Sequence, residues 1–314
     1  MICPSLVMAG PERMPVPMAK SQLKKVRPRP RVCHRFTAMN SPCEIQFDSD
    51  SRRLARIFGA KAEAEAARIE AKYSRYQPDS LLSKINRSNG SPVQVDEETM
   101  GLLRYADTCH KLSDGLFDVT SGVLRRIWRF DGSGNIPTSA EIEALLPLIG
   151  WDKVTLGADS VTLEPGMEID FGGIGKEYAV DRVLLALAAD TKVPLLVNFG
   201  GDLRVSAPLG SGKPWRISIE AAEAGRRSEG MLEISSGALT TSGDARRYLL
   251  KNGVRYGHIL NPQSGRPVMG APRSITVAAA TCLEAGIMST LAMAKGQGAE
   301  QFLRDEGLAA WVLR

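Results

Sequence analysis

The spacing of apolar and polar residues along the chain predicts a strand followed by a long helix. Apolar residues alternate with polar ones over 43–47, and the period becomes helical over 55–73, where Ala62, Ala66 and Ile69 share one face. The turn Gln77-Pro78-Asp79 precedes a short helix, for which Asp79 or Ser80 is the expected N-cap. The same spacing predicts further helices over 96–112, 138–146, 176–189 and 284–295.

From residue 154 onward the pattern changes to short apolar runs separated by glycine-containing turns. These runs are VTLGADSVTLE, PLLVNFGGDLRVSA, WRISIEAA, GMLEISSGALTTSG, the segment around RYGHIL, and RSITVAAA. Many of the connections are too short for a parallel crossover. We therefore predict an α+β fold of mostly antiparallel sheet with packed helices, in one domain or two intimately joined domains.

One predicted strand, residues 254–260, contains His258. Asn252-Gly253 predicts a turn before it and Asn261-Pro262 a turn after it. A single histidine in a strand is more often a structural residue bonded to a backbone carbonyl than a catalytic one. The local pattern therefore favours a structural role for His258.

Charge is distributed unevenly along the 314 residues. Residues 1–40 contain eight Lys or Arg and one Glu, which leaves 32 Lys or Arg against 34 Asp or Glu in residues 41–314. We interpret residues 1–38 as a disordered basic leader and residues 39–314 as the folded domain. Because that domain is slightly acidic, nucleic-acid binding is not expected.

Five cysteines without CxxC spacing argue against a disulfide framework and a thiolate zinc site. No apolar run is long enough to span a membrane, and none resembles the core of a signal peptide. The expected location is the cytoplasm.

Three segments join glycines to hydroxyl or charged residues: IDFGGIGKEYAVDRV, VNFGGDLRV and TTSGDARRY. In the first, a predicted strand ending at Asp170 leads through Gly172 and Gly173 to a helix that begins near Lys176, an arrangement suited to a phosphate. Each segment alone is equally compatible with an ordinary tight turn. Three of them in one chain favour a shared pocket for a polyphosphate ligand.

Eight segments in order resemble the ApbE family of FAD:protein FMN transferases. They are MNSPCEIQF, SRYQPDSLLSKIN, SDGLFDVTSGVL, IDFGGIGKEYAVD, VNFGGDLRV, TTSGDARRY, RYGHILNPQSGRPV and SITVAAATCLEAGIMSTLAMAKG. The resemblance implies a fold of two intimately joined subdomains. It also implies an enzyme that binds FAD and Mg²⁺ or another divalent cation. It would transfer FMN to a Ser or Thr hydroxyl of a protein acceptor and release AMP. Two alternatives stay open: an FAD carrier or sensor without transfer, and a metal-dependent hydrolase that converts FAD to FMN and AMP.

The resemblance also implies roles for individual residues. His258 would be the base that accepts the acceptor's hydroxyl proton, since histidine ordinarily titrates near neutrality. The implied FAD contacts are Met39 on the adenine side, Tyr76 stacked on the flavin ring, Leu116, Phe117, Asp118, Asp170, Lys176 and Ile259.

The implied metal site departs from the family pattern at two positions. The backbone near Gly173 and the side chains of Ser289 and Thr290 are retained, but Gly286 stands where the family has its principal aspartate. Glu177 stands where the family usually has glycine. Either Glu177 restores the missing carboxylate and keeps the enzyme active, or the site is degraded and FAD is bound without transfer.

Overall fold

The computed structural model describes residues 31–131, 134–219, 230–244 and 248–314. The helices are α1 Arg52–Tyr73, α2 Leu81–Asn86, α3 Glu97–Leu112, α4 Ser139–Leu145, α5 Gly175–Ala188, α6 Cys282–Ala294 and α7 Ala299–Asp305. The strands are β1 Val32–Ala38, β2 Ser41–Phe47, β3 Val93–Gln94, β4 Thr155–Leu156, β5 Ser160–Thr162, β6 Leu195–Phe199, β7 Asp202–Val205, β8 Trp215–Ile219, β9 Gly230–Ile234, β10 Gly237–Gly243, β11 Tyr248–Lys251, β12 Val254–Gly257, β13 Leu260–Asn261, β14 Arg266–Pro267, β15 Ser274–Ala279 and β16 Ala309–Leu313.

Seven strands form one sheet in the order β1-β2-β6-β7-β10-β15-β16, and each neighbouring pair is antiparallel. Helices α1, α5 and α6 pack on one face of this sheet, and the β8–β9 ribbon contributes Trp215 and Ile234 to an apolar cluster with Leu196 and Leu239. Strand β6 is consequently buried on both faces, which explains its nearly continuous apolar sequence LLVNF. The predicted α+β class with mostly antiparallel sheet is confirmed.

Helix starts follow the capping residues in the sequence. Ser80 caps α2 by accepting a hydrogen bond from the Ser83 N–H, and Thr138 with Glu141 forms a capping box at α4. Each of the longer predicted helices is present, and its ends differ from the predicted ones by a few residues at most. The Asn252-Gly253 turn joins β11 to β12 as predicted, with positive φ at both residues.

The antiparallel order brings several turns to one end of the large sheet. The β1–β2 turn at Met39-Asn40 and the β6–β7 turn at Gly200-Gly201 are adjacent, since the Gly200 N–H donates to the Pro42 carbonyl at 2.9 Å. The C-terminal end of β10 and the start of β15 reach the same end, because Gly243 pairs with Ser274. This end of the sheet positions the site described below.

The predicted leader boundary after residue 38 is wrong. Residues Val32–Ala38 form edge strand β1, which pairs with β2 along its whole length, and Arg35 Nε donates to Glu44 Oε2 across the pair at 2.7 Å. Charged side chains are common on edge strands, where they discourage further pairing. Residues 1–30 lie outside the described part of the chain.

Residues Val119–Arg126 form a 3-10 helix. Two local predictions also need correction. His258 does not lie within a strand, because β12 ends at Gly257 and β13 begins at Leu260. Residues 169–171 are not a strand; the Phe171 carbonyl instead accepts from the Ile174 and Gly175 N–H groups in a tight turn that leads into α5.

Candidate active site

The three glycine segments meet at Asp202, the first residue of β7. Lys176 Nζ, in the first turn of α5, lies 2.5 Å from Asp202 Oδ2, and the Thr241 N–H of β10 donates to Asp202 Oδ1 at 3.1 Å. Burial by itself would lower the pKa of Lys176, but the carboxylates of Asp202 and Glu177 outweigh it and raise that pKa. The three segments therefore lie together, whereas the polyphosphate pocket stays a prediction. Arg246 and Arg247 of the third segment lie outside the described residues.

Glu177, next to Lys176 in the first turn of α5, is a buried carboxyl group. Burial first, and then the negative charge of Asp202, raises its pKa to about 7. Its Oε2 atom has no hydrogen-bond partner among the described residues. A buried, unpartnered acceptor is costly, so this oxygen is suited to a ligand that supplies positive charge.

Helix α6 lies directly against Glu177. A Cβ atom on Gly286 would lie 2.6 Å from Glu177 Cγ and 3.2 Å from Cδ, so the glutamate occupies the space of a side chain at that position. Thr290 follows Gly286 by four residues and therefore lies on the same helix face. The Glu177 carboxyl group and the Thr290 hydroxyl are thus brought to one side of α6.

Hydroxyl groups connect α6 to β10. Ser242 Oγ lies 2.7 Å from Ser289 Oγ and 3.2 Å from Thr290 Oγ1, and Ser289 Oγ also donates to the Gly286 carbonyl at 3.0 Å. The start of α6 is fixed by Asp181 of α5, which accepts from the Cys282 and Leu283 N–H groups at 3.0 Å each. The position of α6 is therefore set by contacts with both β10 and α5.

Asp170 is held between two arginines. Its Oδ2 atom accepts from Arg75 Nη1 at 3.2 Å and from Arg125 Nε at 3.1 Å, and its Oδ1 accepts from the Gly172 N–H. The Arg75 guanidinium also lies 5.9 Å from the centre of the Tyr76 ring. Tyr76 itself is 80% exposed, so most of its side chain is accessible to a ligand.

The turn that contains Leu116, Phe117 and Asp118 packs against the first glycine segment. Phe117 is buried, and a Cβ atom on Gly173 would lie 3.1 Å from Phe117 Cε2. Asp118 is buried too, and its carboxylate accepts from the Thr120 and Trp151 N–H groups at 2.8 and 3.1 Å. Its carboxylate thus caps the turn, and the FAD contacts of this segment stay a prediction.

Met39 and His258 both occupy turns rather than regular strands. Met39 has a φ of 51°, in the left-handed region that is uncommon for side chains other than glycine, asparagine and aspartate. His258 is half-buried and meets the Phe130 ring edge to face, with centroids 6.2 Å apart. The neighbouring Ile259 carbonyl accepts from the Val268 N–H at 3.0 Å, which fixes the backbone beside the histidine.

Sequence reasoning missed several residues that organise this region. Asp202 and Asp244 were visible as acids that follow glycines. Nothing in their spacing indicated that Asp202 would pair with Lys176, or that Asp244 would form an ion pair with Arg255 at 3.0 Å. Ser242 gave no separate signal. Arg75 and Arg125 are distant in sequence from Asp170, so only the fold brings the three together.

No helix among the described residues combines the length and apolar character needed to cross a bilayer. In the same part of the chain, no three His, Cys, Asp or Glu side chains cluster in a way that would hold a metal ion.

The sheet with its α5–α6 layer and the glycine turns at one end define a flavin transferase fold by comparison with solved structures. The ApbE protein of Thermotoga maritima superposes with a TM-score of 0.81 at 32% identity, covering 90% of this chain and 94% of that one. The flavin transferase ApbE of Vibrio cholerae gives a TM-score of 0.79 at 26% identity, covering 91% and 94%.

The ApbE family model matches residues 39–312. Over 235 residues the chain is 32% identical to an FAD:protein FMN transferase of Vibrio cholerae serotype O1, covering 73% of this chain and 70% of the relative. It is 28% identical over 275 residues to the FAD:protein FMN transferase of Escherichia coli K12, covering 84% and 78%. The chain belongs to the ApbE family.

Proposed function

We propose that this chain is an FAD:protein FMN transferase that moves FMN from FAD to a Ser or Thr hydroxyl of an acceptor flavoprotein. The observation that carries the proposal is the meeting of the three glycine segments at Asp202, beside Lys176 and the first turn of α5. Backbone N–H groups at a helix start, together with a lysine, suit a pyrophosphate. The names of the relatives support the same activity.

In the proposed reaction the acceptor oxygen attacks the phosphorus on the FMN side of the pyrophosphate. A new phosphoester O–P bond forms, the P–O bond to AMP breaks, and AMP leaves with the bridging oxygen. His258 accepts the hydroxyl proton as the new bond forms. Tyr76 stacks on the flavin ring, and Asp170, oriented by its two arginines, contacts the same ligand.

The remaining implied FAD contacts surround the other parts of the ligand. Met39 contacts the adenine half from the β1–β2 turn, and Lys176 meets the pyrophosphate. Leu116, Phe117 and Asp118 contact FAD from their turn, and Ile259 does so beside the histidine. Substrate positioning of this kind accounts for much of the rate enhancement in phosphoryl transfer.

The residues around Glu177 fit a divalent metal of the Mg²⁺ type. The unpartnered Glu177 Oε2 supplies charge, and the Thr290 hydroxyl and the backbone carbonyl near Gly173 supply neutral oxygens. Ser289 adds a further hydroxyl, which lies within hydrogen-bond distance of the same Ser242 Oγ as Thr290. Oxygen ligands of this mixture are those that hard cations prefer. When bound, such an ion would supply positive charge for the pyrophosphate.

Whether the metal site is active depends on Glu177 and Gly286. The family aspartate is replaced by glycine on α6, and Glu177 of α5 reaches into the space that this leaves. The Glu177 carboxylate thereby lies against the face of α6 that carries Gly286. This favours an active enzyme over a degraded flavin carrier.

The test is an assay with FAD, Mg²⁺ and the protein acceptor of the Vibrio cholerae relative. Transfer gives flavin that stays on the acceptor after denaturation, with one AMP released for each flavin attached. Free FMN with AMP, formed equally well without acceptor, would identify a hydrolase instead. Tight FAD binding without AMP release would identify a carrier.

A further inference from the structure

The segment before His258 is tied to the end of β10 by one arginine–carboxylate pair. Arg255 of β12 donates from Nε to Asp244 Oδ2 at 3.0 Å and from Nη2 to Asp244 Oδ1 at 3.1 Å. The same Nη2 donates to the Asp244 backbone carbonyl at 2.5 Å. Two-point contact of this kind fixes the direction of the guanidinium as well as its distance.

Two further contacts make this tie rigid. The Arg255 guanidinium lies 3.4 Å from the centre of the Tyr248 ring on the paired strand β11. Gly257 faces the Asp244 side chain so closely that a Cβ atom there would lie 3.1 Å from Oδ2 and 3.2 Å from Cβ of the aspartate. The absence of a side chain at Gly257 lets the backbone next to His258 lie against Asp244.

Asp244 is itself fixed to the large sheet. It follows the last residue of β10, and its N–H donates to the Arg273 carbonyl at 3.0 Å. Strand β10 also carries Thr241, bonded to Asp202, and Ser242, bonded to Thr290. The Asp244–Arg255 pair therefore connects the histidine segment to the strand that organises the lysine and metal sides of the site.

We infer that Asp244 and Arg255 are positioning residues that hold His258 at the correct place relative to the pyrophosphate. The inference rests on the proposed transfer reaction, in which His258 accepts the acceptor's proton. In this proposal neither Asp244 nor Arg255 contacts FAD or the acceptor. Their contribution acts through the histidine, since His258 lies one residue beyond Gly257.

The kinetic test compares Arg255→Met and Asp244→Asn with wild type at saturating FAD and Mg²⁺. Each variant should lower kcat for transfer about tenfold to a hundredfold, as expected for a misplaced catalytic group, with little change in the dissociation constant of FAD. Asp244→Asn preserves the shape of the side chain, so it repeats the test with little loss of packing. Arg255→Lys should lie between wild type and Arg255→Met, because an ammonium cannot reproduce the two-point contact.

The His258→Ala background separates positioning from general damage. If Arg255 acts through His258, Arg255→Met should cause no further loss of transfer in the His258→Ala protein. Equal fold-losses in both backgrounds would overturn the inference. The matched control is Arg314→Met, which removes another two-point arginine pair, that with Glu300 at 2.7 and 2.5 Å, and should leave transfer unchanged.

A readout without catalysis uses the chain's three histidines. In protein labelled with ¹⁵N-histidine, the ring signals of His258, assigned by their loss in His258→Ala, should shift or broaden in Arg255→Met and in Asp244→Asn. The signals of His34 on β1 should stay in place, and Arg314→Met should move none of the three. An unchanged His258 signal in both variants would overturn the inference. Wild type could transfer no FMN while the His258 signal still shifts in Arg255→Met and Asp244→Asn. The proposed function would then be wrong, but Asp244 and Arg255 would still be shown to position His258.

Discussion

Glu177 on α5 occupies the space that a side chain on Gly286 of α6 would need, with 2.6 Å between Glu177 Cγ and a Cβ atom built on the glycine. The two positions are 109 residues apart in sequence, yet the residue type at one restricts the residue type at the other. A glutamate is accommodated here because residue 286 has no side chain. The space beside Gly286 on α6 is therefore filled by a carboxylate-bearing side chain of α5.

This relationship predicts non-additive effects of substitution on Mg²⁺ binding. Glu177→Gln should weaken Mg²⁺ binding strongly, because an amide offers a dipole where the carboxylate offers a charge at about 2.0–2.6 Å from the ion. Gly286→Asp alone should lower the free energy of unfolding by about 1–3 kcal/mol through overpacking against Glu177. Glu177→Gly combined with Gly286→Asp should restore both Mg²⁺ binding and stability.

Titration calorimetry with Mg²⁺ and chemical unfolding of the four proteins measure these effects. AMP release from FAD as a function of Mg²⁺ concentration gives a third readout. If wild type and Glu177→Gln bind Mg²⁺ with the same affinity, Glu177 is only an acid in the first turn of a helix. Its contribution would then be a few tenths to about one kcal/mol of stability.

Replacement of His258 tests the proposed base directly. His258→Ala should lower the rate of FMN transfer by about two to four orders of magnitude while FAD affinity stays nearly unchanged, since the proton is taken only as the new bond forms. Single-turnover assays with acceptor in excess measure the rate, and fluorescence titration measures FAD affinity. Full activity in this variant, or failure of the variant to fold, would indicate a structural histidine instead.

The architecture was predictable because it depends on local patterns. The alternation around Ile45 and the helical spacing of Ala62, Ala66 and Ile69 each select one element irrespective of the rest of the chain. Strand β1 was missed because its polar and cationic residues are those of a sheet edge, which resembles a basic tail when its partner strand is not considered.

The site was only partly predictable, because its ordered segments identify residues but not their partners. The glycine segments indicated Lys176 and Asp170. The sequence did not reveal that Asp202 pairs with Lys176, or that Arg75 and Arg125 hold Asp170, since these pairs form across the fold. His258 was assigned to a strand because its flanking turns were recognised, whereas β12 ends one residue earlier.

The exposure of Tyr76 predicts an effect on flavin binding without an effect on stability. Tyr76→Ala should weaken FAD binding about tenfold, the equivalent of about 1.4 kcal/mol for a stacked aromatic pair, whereas Tyr76→Phe should bind nearly as well as wild type. Because the side chain is 80% exposed, the free energy of unfolding should change by less than about 0.5 kcal/mol. Fluorescence titration and urea unfolding measure the two quantities. Equal FAD affinity in all three proteins would contradict the stacking role.

Glu98 joins three helices and gives the fold a defined dependence on acid. It accepts hydrogen bonds from Arg68 and Lys72 of α1 at 2.7–2.9 and 2.5 Å, and from Tyr178 of α5 at 2.7 Å. The Arg68 bonds, followed by those of Lys72 and Tyr178, outweigh the effect of burial and hold the pKa of Glu98 well below its usual range. Glu98→Gln should therefore lower the free energy of unfolding at neutral pH by about 1–3 kcal/mol.

The sign of the pH dependence follows from that depressed pKa. Unfolded Glu98 titrates near its ordinary value of about 4.3, and the folded protein binds this proton only at lower pH. The stabilisation by Glu98 is therefore complete above about pH 5 and is lost as the pH falls below about 4. Urea unfolding of wild type and Glu98→Gln from pH 7 to pH 3 should show two curves that converge in acid. Glu97→Gln is the matched control, because Glu97 is an exposed acid in the same first turn of α3, and its curve should stay close to that of wild type. A constant gap between wild type and Glu98→Gln over the whole range would show that the ion pairs of Glu98 do not contribute to stability.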